Sequence, residues 1–411
     1  MFNKNDTESL RSLAARVKEI SELPLMRERA KDWTALNDLR GTKPMVLVSP
    51  EGAWKEIDRL FDLKCADETA RGFELSFRRK IYQHEQIQDD SVIDSFFNIG
   101  WRTSNTGFGV DLKNDISGID GGAYKHIAPI TNISEGLKKL HFREISVNRD
   151  ATYELIEKTE KAFGDMLNVR IHGGHFWTTG LTITAIALIG LEELMLYMFD
   201  APDELKSLMK FLSDDMMSYM DQLERLEILS YNNANEHIGS GNWGLTSDLP
   251  SYDHPVQGPL RFKNLCGFCE SQETVGVSPT MFGEFIFPYQ KPLIERFGLT
   301  YYGCCEPVEN RFDYLREIKN LRCISVSPWS NIEKCAETYG RRYVLCRKPN
   351  PGLVCVDFAE NAIRREFRET LKAASKLNLM FILKDTHTIS NQPERFKRWI
   401  SIAREEIAEA R

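Results

Sequence analysis

Residues 299–329 read LTYYGCCEPVENRFDYLREIKNLRCISVSPW, in which two short apolar runs flank a charged amphipathic segment. The first run ends in Gly-Cys-Cys and the second in Ser-Pro-Trp, whereas the segment between them has helical apolar spacing. Strand, helix and strand in alternation are typical of parallel strands joined by crossover helices. This stretch therefore predicts an α/β fold with a parallel sheet.

The same alternation continues in both directions along the chain. Helical patterns at 203–225, 280–296, 308–319, 331–339, 360–376 and 393–410 lie between apolar runs, which are KPMVLVS (43–49), NVRIHGG (168–174), LEILSYNN (226–233), LCGFCES (265–271), LTYYGCC (299–305), CISVSPW (323–329), RYVLCRKP (342–349) and LMFILKD (379–385). Eight strands of this kind most simply close a (β/α)8 TIM barrel. SFFNIGW (95–101) or TGFGVDL (106–112) can add a strand without changing the fold class.

The segment before the first predicted strand has helical apolar spacing, broken at Pro24. We therefore predict an N-terminal helical extension over residues 1–42, followed by the barrel over residues 43–411.

Composition excludes several classes of partner. The net charge of −7 comes without a run of lysine or arginine, so nucleic acid is not expected. The longest apolar stretch, 181–199, is interrupted by Glu192 and Glu193, and its first part is shorter than the roughly 20 residues that cross a bilayer. Nine cysteines without an export signal predict reduced thiols and a cytoplasmic protein that does not enter membranes.

Active sites of (β/α)8 barrels lie at the C-terminal ends of the strands, so the residues that follow each apolar run are the candidates. These residues are His172, His175, Asn232, Asn233, His237, Cys269, Glu270, Cys304, Cys305, Glu306, Trp329, Cys346, Lys348, Asn350, Lys384, Asp385 and His387. Many thiols, imidazoles and acids on one rim indicate a site that performs chemistry, although any one of them can instead be a packing residue.

Catalytic zinc takes about three protein ligands and leaves one position open. Cys305, Glu270 and His387 would supply sulfur, oxygen and nitrogen from three strands, and we predict them as metal ligands. The alternative is that the thiols are core residues. A second set, Cys269, Glu284 and Cys305, has x14 and x20 spacing, but Glu284 is more simply a solvated helix residue. Which of Glu270, Cys269 and Glu284 faces the site is left open.

Strand geometry restricts which of these side chains can act together. Residues i and i+3 of a strand point to opposite faces, so Cys266 and Cys269 cannot chelate one ion. Similarly, only one of the adjacent Cys304 and Cys305 is expected to face the barrel axis, and Lys384 is expected opposite Asp385.

Two further groups complete the predicted site. We predict His387, Asp385 and Lys384 as catalytic, because LKDTHT (383–388) is the most polar strand exit and Asp385 can fix the tautomer of a histidine. The residues predicted to bind substrate are His172, His175, His237, Trp329 and Asn350. The histidines can instead satisfy backbone groups, and the tryptophan can be packing.

Four motifs in linked order resemble those of the uroporphyrinogen decarboxylase superfamily. They are IGLEELMLYMFDAPDELKSLMKFL (189–212), VGVSPTMFGEFIFPYQKPLIERFG (275–298), YYGCCEP (301–307) and RKPNPGLV (347–354). The resemblance covers roughly residues 40–410 and implies the (β/α)8 barrel of that superfamily. The arginine-rich signature that grips substrate carboxylates in the decarboxylases is absent, because the corresponding stretch reads PMVLVSPEGAWKEI (44–57).

The chain more closely resembles the branch of corrinoid-dependent methyltransferases. Thiol-activating members use His-x-Cys on one strand and a Cys on the last strand. Here Gly303 stands at the histidine position, Cys305 at the cysteine position, and Asp385–His387 at the last-strand position. The x14 and x20 spacing resembles the zinc pattern of the ether-cleaving members, with both end residues changed.

The resemblance implies a methyltransferase, or demethylase, component. Such a component moves a methyl group from a small methylated donor, such as an ether or amine, to the cobalt of a separate corrinoid (cobalamin) protein, with zinc as a candidate cofactor. Leaving-group activation by a metal or an acid is the chemistry that this transfer needs. A tetrapyrrole decarboxylase and a non-catalytic corrinoid or small-molecule binding barrel are the alternatives. A homodimer is compatible with the sequence.

Overall fold

The computed structural model describes residues 1–116 and 124–410. Its helices are α1 (Lys4–Ser21), α2 (Pro24–Asn37), α3 (Trp54–Asp58), α4 (Glu68–Tyr82), α5 (Ile133–Leu137), α6 (Arg149–Phe163), α7 (Thr182–Ile189), α8 (Leu191–Asp200), α9 (Pro202–Arg225), α10 (Pro279–Phe285), α11 (Phe287–Ile294), α12 (Phe312–Leu315), α13 (Ile332–Tyr339), α14 (Gly352–Cys355), α15 (Glu360–Ala374) and α16 (Glu394–Glu409).

The strands are β1 (Met45–Val48), β2 (Phe96–Ile99), β3 (Arg102–Asn105), β4 (Lys113–Ile116), β5 (Tyr124–Ile127), β6 (Ile145–Asn148), β7 (Asn168–Ile171), β8 (His237–Ile238), β9 (Asn242–Trp243), β10 (Cys266–Cys269), β11 (Leu299–Tyr302), β12 (Leu321–Val326), β13 (Val344–Arg347) and β14 (Asn378–Leu383).

A parallel sheet of six strands forms the centre of the fold, in the order β1-β14-β13-β12-β11-β10. Strands β2 and β7 form a second parallel pair. The α/β prediction is confirmed, and the run at 95–101 supplies the added strand. The run at 226–233 was predicted as a strand and carries none, and 106–112 carries none either.

At both edges of the six-stranded sheet, side chains form some of the hydrogen bonds to the backbone of the edge strand. At the β1 edge, Asp90 Oδ2 accepts from Val46 N at 2.8 Å and Asp89 Oδ2 accepts from Val48 N at 2.9 Å. At the other edge, the Asn232 amide donates to Cys266 O and accepts from Cys266 N. The described strands form this sheet and separate pairs without one closed ladder, so the (β/α)8 barrel stays a prediction.

Alternation along the strands divides the sheet into two apolar faces. One face contributes Leu47, Phe268, Tyr301 and Ile382 to a cluster that also contains Trp33 of α2. We call this cluster the inner core. The other face packs against helices, with members such as Val46, Tyr302, Leu345 and Phe381. As predicted, Cys266 packs against the inner core, whereas Cys269 lies on the helix face.

The helices that cover the sheet follow the apolar spacing of the sequence. Helix α15 buries Ile363, Phe367, Leu371 and Ala374, which recur every three or four residues and so form one stripe. Helix α13 begins after Asn331, whose side chain accepts from Lys334 N as an N-cap. Both helices lie within about two residues of the ranges predicted from the sequence.

The first two helices are tied to the rest of the molecule in different ways. Helix α1 packs through Leu10, Ala14 and Val17 into a separate cluster with Phe77 of α4 and Phe163 of α6. Helix α2 instead inserts Trp33 into the inner core. Residues 4–37 are thus helical as predicted, while a domain boundary at residue 42 stays a prediction.

None of the helices in residues 1–116 and 124–410 is by itself long and apolar enough to cross a membrane. Helices α7 and α8 together have the length and apolar composition of a membrane span, but the chain bends by 93° between them at Gly190.

Candidate functional site

Two residues with unusual backbone angles lie at the C-terminal end of the central sheet, directly after β11 and β14. Gly303 follows β11 with φ = 94°, a conformation that residues with a Cβ rarely adopt. Asp385 follows β14 with φ = 57°, in the left-handed region. Both residues end the regular alternation of side chains, so the groups beyond them point where a strand would not place them.

The C-terminal end of the sheet carries a group of side chains that we call the thiol–lysine cluster. Its members are Cys304, Cys305, Lys348, Lys384 and Asp385. The two sulfur atoms lie 3.5 Å apart, and the Cys305 thiol donates to Asp385 Oδ2 at 3.2 Å. Lys384 Nζ donates to Asp385 Oδ1 at 2.8 Å and lies 3.9 Å from Cys304 Sγ. Lys348 Nζ donates to Cys304 O at 2.6 Å.

Two predictions about this end of the sheet are therefore wrong. Cys304 and Cys305 were expected to point to opposite faces, yet both thiols enter one cluster because Gly303 breaks the alternation. Lys384 was expected opposite Asp385, but the left-handed conformation of Asp385 brings the two side chains into an ion pair.

The cluster separates the two thiols electrostatically. The contact with the Cys305 thiol, together with the charges of Lys348 and Lys384, outweighs burial and holds the pKa of Cys304 well below its ordinary value. The pKa of Cys305 is raised, first by this contact between the two thiols and then by burial. Burial lowers the pKa of Lys384, but the neighbouring thiols and Asp385 raise it by more than burial lowers it. The net change in the pKa of Lys384 is therefore upward. Cys304 is thus the thiolate of the pair.

The predicted metal ligands are not assembled into one set. Cys305 donates to Asp385, and His387 is exposed, with its backbone N–H donating to Asp385 O at 3.2 Å. Glu270 is fully buried beside the backbone of Gln272, which donates to its Oε2 at 3.0 Å. Across the described ranges, no group of three His, Cys, Asp or Glu side chains has the arrangement of a metal site.

The second set also falls apart. Cys269 lies on the helix face of the sheet. Glu284 is an exposed residue of α10, and its Oε1 accepts from Lys206 at 2.6 Å. The simpler interpretation of Glu284 as a solvated helix residue is confirmed.

A cavity of about 450 Å³ lies beyond the C-terminal end of β7 and beside the edge strand β10. It is lined by the three predicted histidines His172, His175 and His237, and we call it the histidine cavity. His172 Nδ1 lies 3.1 Å from the Tyr252 hydroxyl, and His175 Nε2 lies 2.9 Å from Ile228 O. The structure thus brings His237 together with His172 and His175, which the sequence places at a different strand end.

The imidazoles of this cavity favour the neutral form. Desolvation is the main cause for all three, and it lowers the pKa of His172 and of His237 to about 4 and that of His175 in the same direction. Lys384 and Lys348 lower the pKa of His237 further. His237 is exposed and lines the cavity, so its ring can accept a hydrogen bond from a ligand.

Glu236, which the sequence analysis missed, is the acid of the histidine cavity. Its Oε1 accepts from Arg170 at 2.9 Å and its Oε2 accepts from Ala234 N at 2.8 Å. Desolvation outweighs both contacts and raises the pKa of Glu236 to about 7. Glu236 lies between Asn233 and His237, which were both candidates after the run at 226–233, so its position was the available signal. It was not chosen because a single glutamate in a loop is usually solvated.

Trp329 and Asn350 lie away from this cavity. Trp329 is 72% exposed. Asn350 organises its own loop, because its Oδ1 accepts from Gly352 N at 2.9 Å and its N–H donates to Glu366. Neither residue lines the histidine cavity, so a role for them in substrate binding there stays a prediction without a contact to support it.

A second cavity of about 450 Å³ lies beyond β1 and shares His237 with the first. Its charged residues come from α4. Arg79 is paired with Asp58, whereas Lys80 Nζ donates to Phe96 O at 3.3 Å. Burial lowers the pKa of Lys80. The two cavities therefore differ in sign: the first carries a carboxyl group and the second carries cations.

Comparison with known proteins places the fold. The chain is similar in structure to a methyltransferase from Methanosarcina mazei, with a TM-score of 0.52 and 12% sequence identity, over 92% of this chain and 98% of that chain. No family model and no curated protein matches the sequence. At this identity the likeness concerns the fold alone.

A thiolate at Cys304 gives the first testable prediction. The ultraviolet absorbance of ionised thiol, measured as wild type minus Cys304→Ser, is expected to titrate below neutral pH, and Lys384→Met is expected to move that midpoint upward. A thiol whose pKa is lower in the folded than in the unfolded protein stabilises the fold fully above the unfolded pKa. This stabilisation is lost as the pH falls through the pKa of Cys304 in the folded protein. Cys266→Ser is the control, since burial raises its pKa to about 12. Equal difference spectra for the two variants near neutrality would contradict the assignment.

Proposed function

We propose that this chain is the methyltransferase, or demethylase, component that moves a methyl group from a small methylated donor to the cobalt of a separate corrinoid protein. The proposal includes a (β/α)8 barrel of the uroporphyrinogen decarboxylase type, on the corrinoid-dependent branch. It rests on the four sequence motifs, on the likeness of fold to a methyltransferase and on the chemistry of the histidine cavity.

The observation that carries the proposal is the position of Glu236 in a cavity of donor size. About 450 Å³ suits a small molecule. Methyl transfer changes the charge of the heteroatom that loses the methyl group, so a group that changes protonation near neutrality is useful beside it. With a pKa of about 7, Glu236 can donate a proton to a departing oxygen or stand as a carboxylate beside a nitrogen cation.

The remaining residues have supporting parts in this proposal. His237 and His175 line the cavity as neutral imidazoles, so they add no positive charge beside the methyl donor. In the thiol–lysine cluster, the ammonium group of Lys384 lies between the negative charges of Asp385 and Cys304. A zinc-assisted step is not assigned, because Cys305, Glu270 and His387 do not form a ligand set. The corrinoid belongs to the partner protein, and we propose a cytoplasmic setting for both.

The decarboxylase alternative needs cations that hold several carboxylates. The described residues that line the histidine cavity include neither lysine nor arginine. In the second cavity Arg79 is already paired with Asp58, which leaves Lys80 as its main cation. This charge pattern favours the methyltransferase.

Methyl transfer can be measured directly. The purified chain is incubated with a corrinoid protein held as Co(I) and with methylated ethers and amines in turn, and the visible spectrum reports methyl-Co(III). We expect turnover with one donor class and no binding of uroporphyrinogen. Tight binding of uroporphyrinogen without methyl transfer would instead support the decarboxylase, and binding of the corrinoid protein without turnover of any donor would support the non-catalytic barrel.

A further inference from the structure

The lining of the histidine cavity has an unusual balance of charge. Glu236 is its acid, and its described lining residues include no lysine or arginine. The three histidines lining it have lowered pKa values, so they add no positive charge at neutral pH. A ligand that enters therefore meets a carboxyl group and neutral acceptors.

Aromatic rings form much of the remaining wall. They belong to Phe176, Trp177, Phe262, Phe268 and Phe297. Trp177 is half-exposed, and its ring centroid lies 5.0 Å from that of Phe268. The faces of such rings attract cations, and several rings around one cation form the cage that recognises methylated ammonium groups.

Some polar hydrogens in the lining are engaged by the protein. The Asn232 side-chain amide donates to Cys266 O, and Trp177 Nε1 donates to Gly239 O at 3.3 Å. His175 Nε2 lies at hydrogen-bond distance from Ile228 O. The cavity thus combines one carboxyl group with aromatic ring faces and has no lysine or arginine among its described lining residues, which disfavours an anion.

From this combination we infer that the histidine cavity binds a small methylated ammonium ion, with Glu236 as its counter-charge and Trp177 as part of its cage. Naming this ion as the methyl donor rests on the proposed function, whereas its binding does not. A quaternary nitrogen leaves as a neutral amine and needs no proton, so for this donor Glu236 acts as a carboxylate.

The charges around Glu236 decide how this binding depends on pH. Arg170 of β7 lies 2.9 Å away, His172 Nε2 lies 3.7 Å away, and Asp94 opposes Arg170 by raising the pKa of Glu236. The guanidinium of Arg170 is also stacked between the rings of Phe96 and Tyr252, which fixes it behind the carboxyl group. Because Glu236 ionises near pH 7, cation binding is expected to strengthen as the pH rises through that value.

A pair of isosteric probes tests the inference. Choline carries a trimethylammonium group, and 3,3-dimethylbutan-1-ol has the same shape with carbon in place of nitrogen. Calorimetric titration of the whole chain, without corrinoid protein, is expected to show choline binding about tenfold more tightly than the alcohol. Glu236→Gln is expected to remove most of the preference, and Trp177→Leu to weaken choline binding. Glu284→Gln, at an exposed site on α10, is the matched control.

Three outcomes would overturn the inference. They are equal affinity for choline and the alcohol, a preference for choline that survives in both Glu236→Gln and Trp177→Leu, and binding of choline that weakens as the pH rises through about 7. Cation binding without methyl transfer to cobalt would sink the proposed function alone. Methyl transfer from an ether with no cation binding would sink the inference alone.

Discussion

Methyl transfer by the Glu236→Gln variant is expected to fall about 100-fold in kcat/KM, the lower end of the range for a positioned ionisable group. Glutamine keeps the shape of the side chain and one acceptor for Ala234 N, but it neither carries a negative charge nor releases a proton. Loss of charge therefore removes the partner of a cationic donor, and loss of the proton removes the acid for an oxygen leaving group. The rate of methyl-Co(III) formation measures the effect.

The pH profile separates the two uses of Glu236. If the carboxylate is the active form, wild-type kcat/KM rises through about pH 7 and this limb disappears in Glu236→Gln. If the acid is the active form, the rate falls over the same interval. Glu284→Gln serves as the control because its carboxylate is exposed and Glu284 lines neither cavity. An unchanged rate and profile in Glu236→Gln, with unfolding like that of wild type, would remove Glu236 from the site.

The fold class was predictable because apolar periodicity is a local property. The runs at 299–305, 323–329, 342–349 and 379–385 each contain or overlap a strand of the central sheet. Closure of the sheet was not predictable in the same way. The run at 226–233 has the composition of a strand, but Asn232 bonds the β10 edge with its side chain, and that choice depends on which segment packs there.

The predicted arrangement of the Cys304 and Cys305 side chains was wrong for a different reason. Alternation holds only while the backbone is extended, and Gly303 and Asp385 leave that region directly after their strands. A positive φ at Gly303 was predictable, because glycine readily adopts it. A positive φ at Asp385 was not predictable from the residue type. Cys304, Lys348 and Lys384 therefore came together in one cluster with Cys305, whereas the other predicted metal ligands, Glu270 and His387, do not join a ligand set with it.

The acid of the cavity shows the limit of reading strand ends. Glu236 owes its pKa to desolvation opposed by Arg170, a residue 66 positions earlier in the chain. His172, His175 and His237 were found because imidazoles are few and conspicuous, whereas glutamates are common and mostly solvated. Burial is what distinguishes Glu236, and burial is a property of the folded chain.

A large loss of stability is expected from Glu306→Ala. Glu306 is fully buried, and its two carboxylate oxygens accept from Ser271 N at 3.0 Å and from Cys304 N at 2.7 Å. It thus joins the ends of β10 and β11 at the thiol–lysine cluster. Truncation leaves two buried N–H groups without an acceptor, at about 1–3 kcal/mol each, so a decrease of about 3–5 kcal/mol in the free energy of unfolding is expected by denaturant titration.

The amide variant tests whether these hydrogen bonds are the cause. Glutamine has one acceptor oxygen, and its NH₂ group would face the other backbone N–H, so Glu306→Gln is expected to recover no more than part of the loss. Glu317→Ala, exposed after α12, should stay within about 0.5 kcal/mol of wild type. Glu306→Ala with wild-type stability would show that the end of β11 is held by other contacts.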